Sequence, residues 1–412
     1  MSPQPAMPPR PRILITHPWM GQGGSEATAA WTVMALQDLA EVTFVTASRL
    51  EWETINAVHQ TGIDPAGITL LRAPRLPSVR SGTQLVALQQ GLFTRYCRSL
   101  ARNFDACIST YNFLDFGRPG IQLLADFSWD DALQRLVNPS VTPHLKAHGT
   151  LLRRAYLAGG RLLRGDSGAV PEGRGDLVLA NSQWTADTMG RVSGIPVNGI
   201  LYPPVVRGPE ETLAAPLEEH RFLILGRISP EKRVLEMLRI LHEVRQRGHS
   251  VRVTLAGALD HETGYGREVF GLIQEWSDWV EWSGFLSGAA KQKLLARSGW
   301  ALHGATGEAF GIAVAELGQA GCLTFVPAAG GAAEIMDLPE LQYHSDKEAV
   351  ERIVAVLEDP VRAQRLRGEM MARTSRFSSG RFVREIRGWV EKLLGSPLAE
   401  SRRLPAGELL PR

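Results

Sequence analysis

Two carboxylates and two cations stand where they could do chemistry. Glu308 and Glu316 lie in GWALHGATGEAFGIAVAELGQAGCLTFVPAAGGAAEIM, residues 299–336. Arg227 and Lys232 lie in FLILGRISPEKR. A helix that starts near Phe310 and runs from Gly311 to Ala320 directs free N–H groups and a positive dipole end at the loop before it. That end is a seat for an anion such as a phosphate. Small residues from Gly304 to Gly311 let a ligand come close to the backbone. Glu308 is then a fixed acceptor beside the bound group. Glu316, a little over one turn into the helix, faces the same crevice and can accept hydroxyl hydrogens from a ribose. The plainer reading makes Glu308 a solvated loop residue and Glu316 a helix residue with an exposed tip. Pro230 suits the first turn of a second helix, so Arg227 and Lys232 flank a helix start, where the dipole disfavours cations. A bound diphosphate would account for both, through charge-assisted bonds that strengthen as a leaving group gathers charge. Surface placement of the two is the alternative.

Such groups need strands to hold them. In the second half, apolar runs at Arg221–Leu225, Val251–Ala256, Val280–Trp282, Trp300–His303 and Cys322–Val326 alternate with helical stretches, one of them at Lys291–Arg297. Ser283 to Leu286 forms a turn, and Gly330-Gly331 a loop before Glu334. This alternation predicts a parallel sheet with helices on both faces, whose ligands gather at the carboxyl ends of the strands. The first half repeats the pattern. Strands are expected at Ile13–Thr16, Val42–Thr46, Ile68–Ala73, Ala106–Thr110, Ile121–Ala125 and Leu177–Ala180, with helices at Glu26–Leu39 and Gln84–Asn103. The loop GQGGS, Gly21 to Ser25, follows the first strand, but its glycine spacing is not that of a dinucleotide fingerprint. Consecutive prolines in GILYPPVV, Gly199 to Val206, stiffen a boundary between domains, and Arg207 to Glu219 reads as a polar connector. Lys146 to Arg164 mixes leucines with lysine and arginines. It reads either as a contact for a membrane surface or an anionic acceptor, or as an amphipathic helix pair broken at Gly159-Gly160.

The stretch EAFGIAVAE, with Gly321 and the run Gly330, Gly331, Glu334, resembles the two-glutamate signature of retaining GT-B glycosyltransferases of family 4, the glycosyl transferases group 1. FLILGRISPEKR, LVLANSQWTADTM and GILYPPVV resemble the same family. The resemblance covers most of the chain and is clearest from about Leu177 to Phe382. It implies an α/β fold of the GT-B type, two Rossmann-like domains with parallel sheets facing across a cleft. It also implies transfer of a hexosyl group from a nucleotide-diphosphate sugar to an acceptor hydroxyl, with retention and without a metal. Arg227 and Lys232 match the residues that bind the donor diphosphate. Glu308 would position the sugar hydroxyls, Glu316 the ribose, and the helix start at Phe310, Gly311 and Ile312 the diphosphate. Gly23 and Gly24 match first-loop glycines that lie against the diphosphate or the reacting sugar. Phe285 and Leu286 fall where relatives pass the nucleobase by backbone groups; a packing role is the other reading. Many relatives end the strand before Phe127 with a histidine that approaches the donor sugar. Here the register puts Asp126 at that point, which can take a hydroxyl contact but cannot supply a neutral imidazole. It can equally cap the next turn.

The domains expected are an N-terminal tail 1–11, an acceptor domain 12–206 with a returning helix 381–395, a nucleotide-sugar domain 207–380, and a loose tail 396–412. A chain of 412 residues carries two cores of ordinary size. A net charge of +2 gives no global case for nucleic acid. Cys97, Cys107 and Cys322 have no paired spacing, which points to a reducing compartment and no zinc site. No run is long and apolar enough to span a bilayer, and MSPQPAMPPRPR lacks the apolar core of a signal peptide. The expected place is therefore the cytoplasm, and the membrane-surface reading of 146–164, the less favoured of the two, would add a peripheral contact at the inner face of the membrane. No cofactor is expected. Rival readings are a sugar-nucleotide epimerase or phosphorylase on the same fold, and a nucleotide-sugar-binding protein without turnover.

Overall fold

The computed structural model describes residues 9–76, 85–129, 131–137, 150–165, 174–209 and 217–398. Most of the expected tails, Lys146 and the greater part of the polar connector lie outside these residues. Seven strands form the first sheet: β1 Arg12–Thr16, β2 Glu41–Thr46, β3 Ile68–Arg72, β4 Ala106–Ser109, β5 Ile121–Leu124, β6 Leu177–Ala180 and β7 Gly199–Ile200. Their order is β3-β2-β1-β4-β5-β6-β7, and every pairing is parallel. Six strands form the second: β8 Glu218–Leu225, β9 Arg252–Ala256, β10 Val280–Gly284, β11 Ser298–Leu302, β12 Leu323–Pro327 and β13 Gln342–Tyr343. Their order is β10-β9-β8-β11-β12-β13, again parallel. In both sheets the first strand in sequence is central, so the strand order reverses beside it. A crevice opens at such a reversal, outside the carboxyl ends of the strands.

The central strands read as unbroken apolar runs because both faces are covered. Ile13, Leu14 and Ile15 of β1 are fully buried, as are Leu323, Phe325 and Val326 of β12. The second domain's main core runs from Phe222 and Leu238 to Phe325 and Ile353, and Leu223, Leu295, Leu317 and Cys322 form a smaller second cluster. The first domain's core is completed from far along the chain. Helix Ser379–Leu394 puts Phe382, Ile386 and Val390 at i, i+4 and i+8 against Ile13, Trp31 and Phe44. Each such burial contributes about 1.5–3 kcal/mol.

Three local expectations need correction. Pro230–Lys232 is a single 3-10 turn, and Arg233 at φ 55° separates it from helix Val234–Gln246. Lys232 therefore stands on a tight corner and not inside the first turn of a long helix. Gly330-Gly331 is no loop; it opens helix Gly330–Met336. The glycines are needed there because a Cβ on Gly331 would stand 2.4 Å from the Ala309 carbonyl. Gly159-Gly160 does not break its segment either. Helix Leu151–Arg164 runs through it, since these glycines let it cross helix Val86–Ala101 at backbone contact.

The domains also touch directly. Ser182 Oγ and Thr185 Oγ1 donate to the Ala309 carbonyl. Glu334 accepts from the Gln183 and Trp184 N–H groups and from the Tyr202 hydroxyl at 2.9–3.1 Å. A second-domain carboxylate thus caps helix Gln183–Ser193 of the first domain, where free N–H groups and the helix dipole favour an anion.

Candidate active site

Between the sheets lies a cavity of about 1040 Å³, lined from both domains. β8 ends at Leu225, and Gly226, at φ 138°, turns the chain so that Arg227 lines the opening. The turn passes so close to β9 that a Cβ on Gly257 would stand 1.8 Å from the Gly226 carbonyl. Arg227 is 72 % exposed and reaches Glu231 at 3.3 Å. Lys232 donates to Glu308 Oε2, and His303, just past the end of β11, lies 3.7 Å from the same oxygen.

Burial pushes the Glu308 carboxyl up, but Lys232, His303 and Arg227 outweigh it and hold the carboxyl below its ordinary value. Burial drives His303 down to about 4, with Glu308 opposing and Lys232 reinforcing. Glu308 is thus an anion and His303 a neutral imidazole at pH 7. The Glu308 carbonyl accepts from the Gly331 N–H at 2.7 Å, which fixes the loop that carries the carboxylate.

Helix Ile312–Gln319 starts with Gly311 as its N-cap, at φ 105°. Ile312 and Ala313 line the cavity at its positive end. Across the cleft stands Gly24, where an added Cβ would meet Ile312 Cδ1 at 2.9 Å. Gly23 and Gly24 line the same cavity. Glu316 faces inward and accepts from Lys291 Nζ at 2.6 Å. Phe285, 40 % exposed, and Leu286 line the cavity beside Lys291. Phe310 also lines it, but its buried ring packs against Tyr202 and Phe377 at 5.9 and 5.3 Å.

Asp126 follows β5 on the first-domain wall. Its Oδ1 accepts from Asn112 Nδ2 at 2.8 Å and from the Ser128 N–H at 2.9 Å, and its Oδ2 from the Tyr111 hydroxyl at 3.4 Å. It therefore fastens the next turn and also lines the cavity.

All four primary residues, Arg227, Lys232, Glu308 and Glu316, share this one cavity. Sequence reasoning passed over several neighbours. Lys291 was read only as part of a helix. His17 follows β1 and is 2 % exposed, and neither ring nitrogen has a partner in the structure. Burial drives it down to about 3. His59 donates to the Gly21 carbonyl at 3.0 Å, and burial lowers it too. Glu26 folds back onto the glycine loop, accepting from Ser25 Oγ at 2.7 Å. The rule that ligands collect at strand carboxyl ends would have picked out His17 and His303. Charge is divided across the cleft. The lining lysines and arginine, Arg227, Lys232 and Lys291, belong to the second domain, whereas the described first-domain wall carries Glu26 and Asp126. No group of three metal-binding side chains occurs among the described residues.

Residues 210–374 match the family model described as glycosyl transferases group 1. No match to the curated proteins reaches significance. Among solved structures, sucrose-phosphate synthase from Thermosynechococcus elongatus superposes with a TM-score of 0.69 at 15% identity, over 94% of this chain and 100% of that one. HepE from Anabaena, in complex with UDP-glucose, gives 0.67 at 17%, over 93% and 100%. WaaG, a glycosyltransferase involved in lipopolysaccharide biosynthesis, gives 0.65 at 14%, over 93% and 100%. The chain therefore has the GT-B fold, and residues 210–374, the greater part of its second domain, resemble the glycosyl transferases group 1.

Proposed function

We propose that the protein is a retaining glycosyltransferase that moves a hexosyl group from a nucleotide-diphosphate sugar to an acceptor hydroxyl without a metal. The observation that carries this reading is the gathering of Arg227, Lys232 and Glu308 in one cavity at the N-terminus of helix Ile312–Gln319. The second domain supplies fixed positive charge where a diphosphate would lie, and such preorganised charge stabilises a leaving group as the bond to it breaks. Ribose hydroxyls would take the place of Lys291 on Glu316. Glu308, kept ionised, would accept from the hydroxyls of the sugar, and Asp126 would reach it from the other wall.

In the step itself, the bond from the anomeric carbon to the diphosphate oxygen breaks and one to the acceptor oxygen forms on the same face. The acceptor proton passes to the departing phosphate oxygen. This route needs no covalent link to Glu308. HepE, a structural neighbour, is recorded with UDP-glucose, so UDP-glucose is the first donor to try. The test is a thermal-shift screen of UDP, GDP and ADP, then donor-dependent release of the stabilising nucleoside diphosphate from its sugar. Stabilisation with slow release supports the reading. Stabilisation without release by any sugar of that nucleotide would favour binding without turnover, and no stabilisation at all would overturn both.

A further inference from the structure

Helix Leu151–Arg164 lies outside the cavity wall and carries an outward apolar stripe in addition to the apolar face, with Gly160 and Leu163, that packs on its neighbour. At 100° per residue, Leu151, Ala155, Ala158 and Leu162 fall on one stripe at i, i+4, i+7 and i+11. That spacing marks the buried face of a soluble helix, yet here all four residues are exposed. Leu151 and Leu162 are 81 % and 82 % exposed, and Leu152 on the flank is 83 % exposed. The opposite face is fixed to helix Val86–Ala101. A Cβ on Gly160 would stand 2.7 Å from the Ala87 carbonyl, and one on Gly91 2.5 Å from the Gly160 carbonyl. The Tyr156 hydroxyl accepts from the Ala87 N–H at 2.8 Å. Helices that meet through glycines cannot roll without losing that contact, so the leucines are held outward. Leu85 and Val86, at the end of the neighbouring helix that meets Tyr156, are exposed as well.

Charge decides what covers this face. Residues 150–165 contain no Asp or Glu. Arg154 and Arg161, seven apart, are exposed along one flank of the stripe. An outward apolar stripe edged by arginines, without acidic residues, has the chemistry of a helix lying in the plane of a lipid interface. A partner protein would need a groove and acidic residues to match it; an anionic bilayer supplies both terms at once. We infer that helix Leu151–Arg164 docks the protein on an anionic membrane surface. The inference is independent of the proposed transfer reaction, since none of these residues lines the cavity. Among the described residues no helix is long and apolar enough to cross a membrane, and the contact lies along the surface.

The full chain is sedimented with vesicles of phosphatidylcholine alone and with vesicles containing about one-third phosphatidylglycerol. Wild type should pellet with the second and stay in solution with the first, and added salt should release it. Leu151→Asn with Leu162→Asn should lower the partition coefficient at least about tenfold. Arg154→Gln with Arg161→Gln should lower it about twentyfold and weaken its salt dependence. Both pairs should keep the wild-type melting temperature, because the altered side chains are exposed. Equal binding to the two vesicle types, failure of wild type to pellet, or unchanged partition of the leucine pair would overturn the inference. So would a wild-type dimer in size-exclusion chromatography that the leucine pair abolishes, since the face would then belong to a second copy.

Discussion

At the scale of single residues, the site depends on what Lys232 does to Glu308. The lysine donates to the carboxylate, and together with His303 and Arg227 it overcomes burial to keep that group ionised. Replacing Lys232 by Ala should weaken nucleoside-diphosphate binding by about 1.5–3 kcal/mol, and Arg227→Ala by a similar amount, because each removes a charge-assisted contact. Calorimetry on the two variants measures this directly. Lys232→Ala carries a second signature. In wild type the Glu308 pKa lies below the ordinary carboxylate value, so its ionised form persists until pH falls through that lowered value. Without the lysine, burial dominates and the acidic limb of the pH–rate profile should move to higher pH. An unmoved limb would separate Glu308 from the reaction. Glu316→Gln should lower nucleotide affinity with little change in melting temperature, because the amide keeps the volume and one acceptor beside Lys291. Titration of the nucleoside diphosphate found in the thermal-shift screen checks it.

At the scale of elements, the contacts that cross the cleft are short and specific. Glu334 caps helix Gln183–Ser193 from the other domain. Glu334→Ala should cost about 0.5–2 kcal/mol, as the loss of a helix cap does, and should also loosen the approach of the two sheets. Chemical denaturation reads the first effect, and a larger radius of gyration in solution scattering reads the second. Elements also mark where sequence reasoning stopped. Arg227, Lys232 and Glu308 stood out because each lies in the loop that follows a strand whose apolar run is plain, β8 for the cations and β11 for the carboxylate. The alternation of runs was enough to specify two parallel sheets. Lys291 was not legible, because its partner Glu316 lies 25 residues on and the pair exists only once two helices are packed on the sheet. Glu334 was seen as part of a motif, but its partners are some 150 residues away in another domain. The glycines at 159 and 160 were misread for the same reason. A local propensity rule sees a weak helix, whereas the neighbouring helix at Ala87 and Gly91 makes them a close-packed crossing.

At the scale of the molecule, three histidines lowered by burial, His17, His59 and His303, shape how the protein responds to acid. His17 and His303 are held down to about 3 and about 4 by burial, whereas the unfolded chain protonates them near the ordinary value of about 6.5. Between those limits the unfolded state binds more protons, so stability is complete above about pH 6.5 and falls as the pH drops. Each histidine contributes a slope of about 1.4 kcal/mol per pH unit in that window. Urea unfolding at pH 7 and pH 5 should show the loss, and His17→Gln with His303→Gln should reduce it. A double variant as acid-sensitive as wild type would assign the effect to other groups.

The return of helix Ser379–Leu394 to the first sheet has a consequence for how the chain matures. Phe382, Ile386 and Val390 fill a core whose other members run from Ile13 to Leu201, with Leu398 beside them. During synthesis the second domain therefore has all its strands before the first has its last helix. The part made earliest would be finished last, with an oily gap beside helix Gly24–Leu36 until the final turns emerge. A chain stopped after Ser378, which keeps Phe377 in the second domain's core, should keep a protease-resistant fragment from the second domain while the amino-terminal portion is digested. Resistance spread evenly over both portions would mean that the first sheet closes without its late partner.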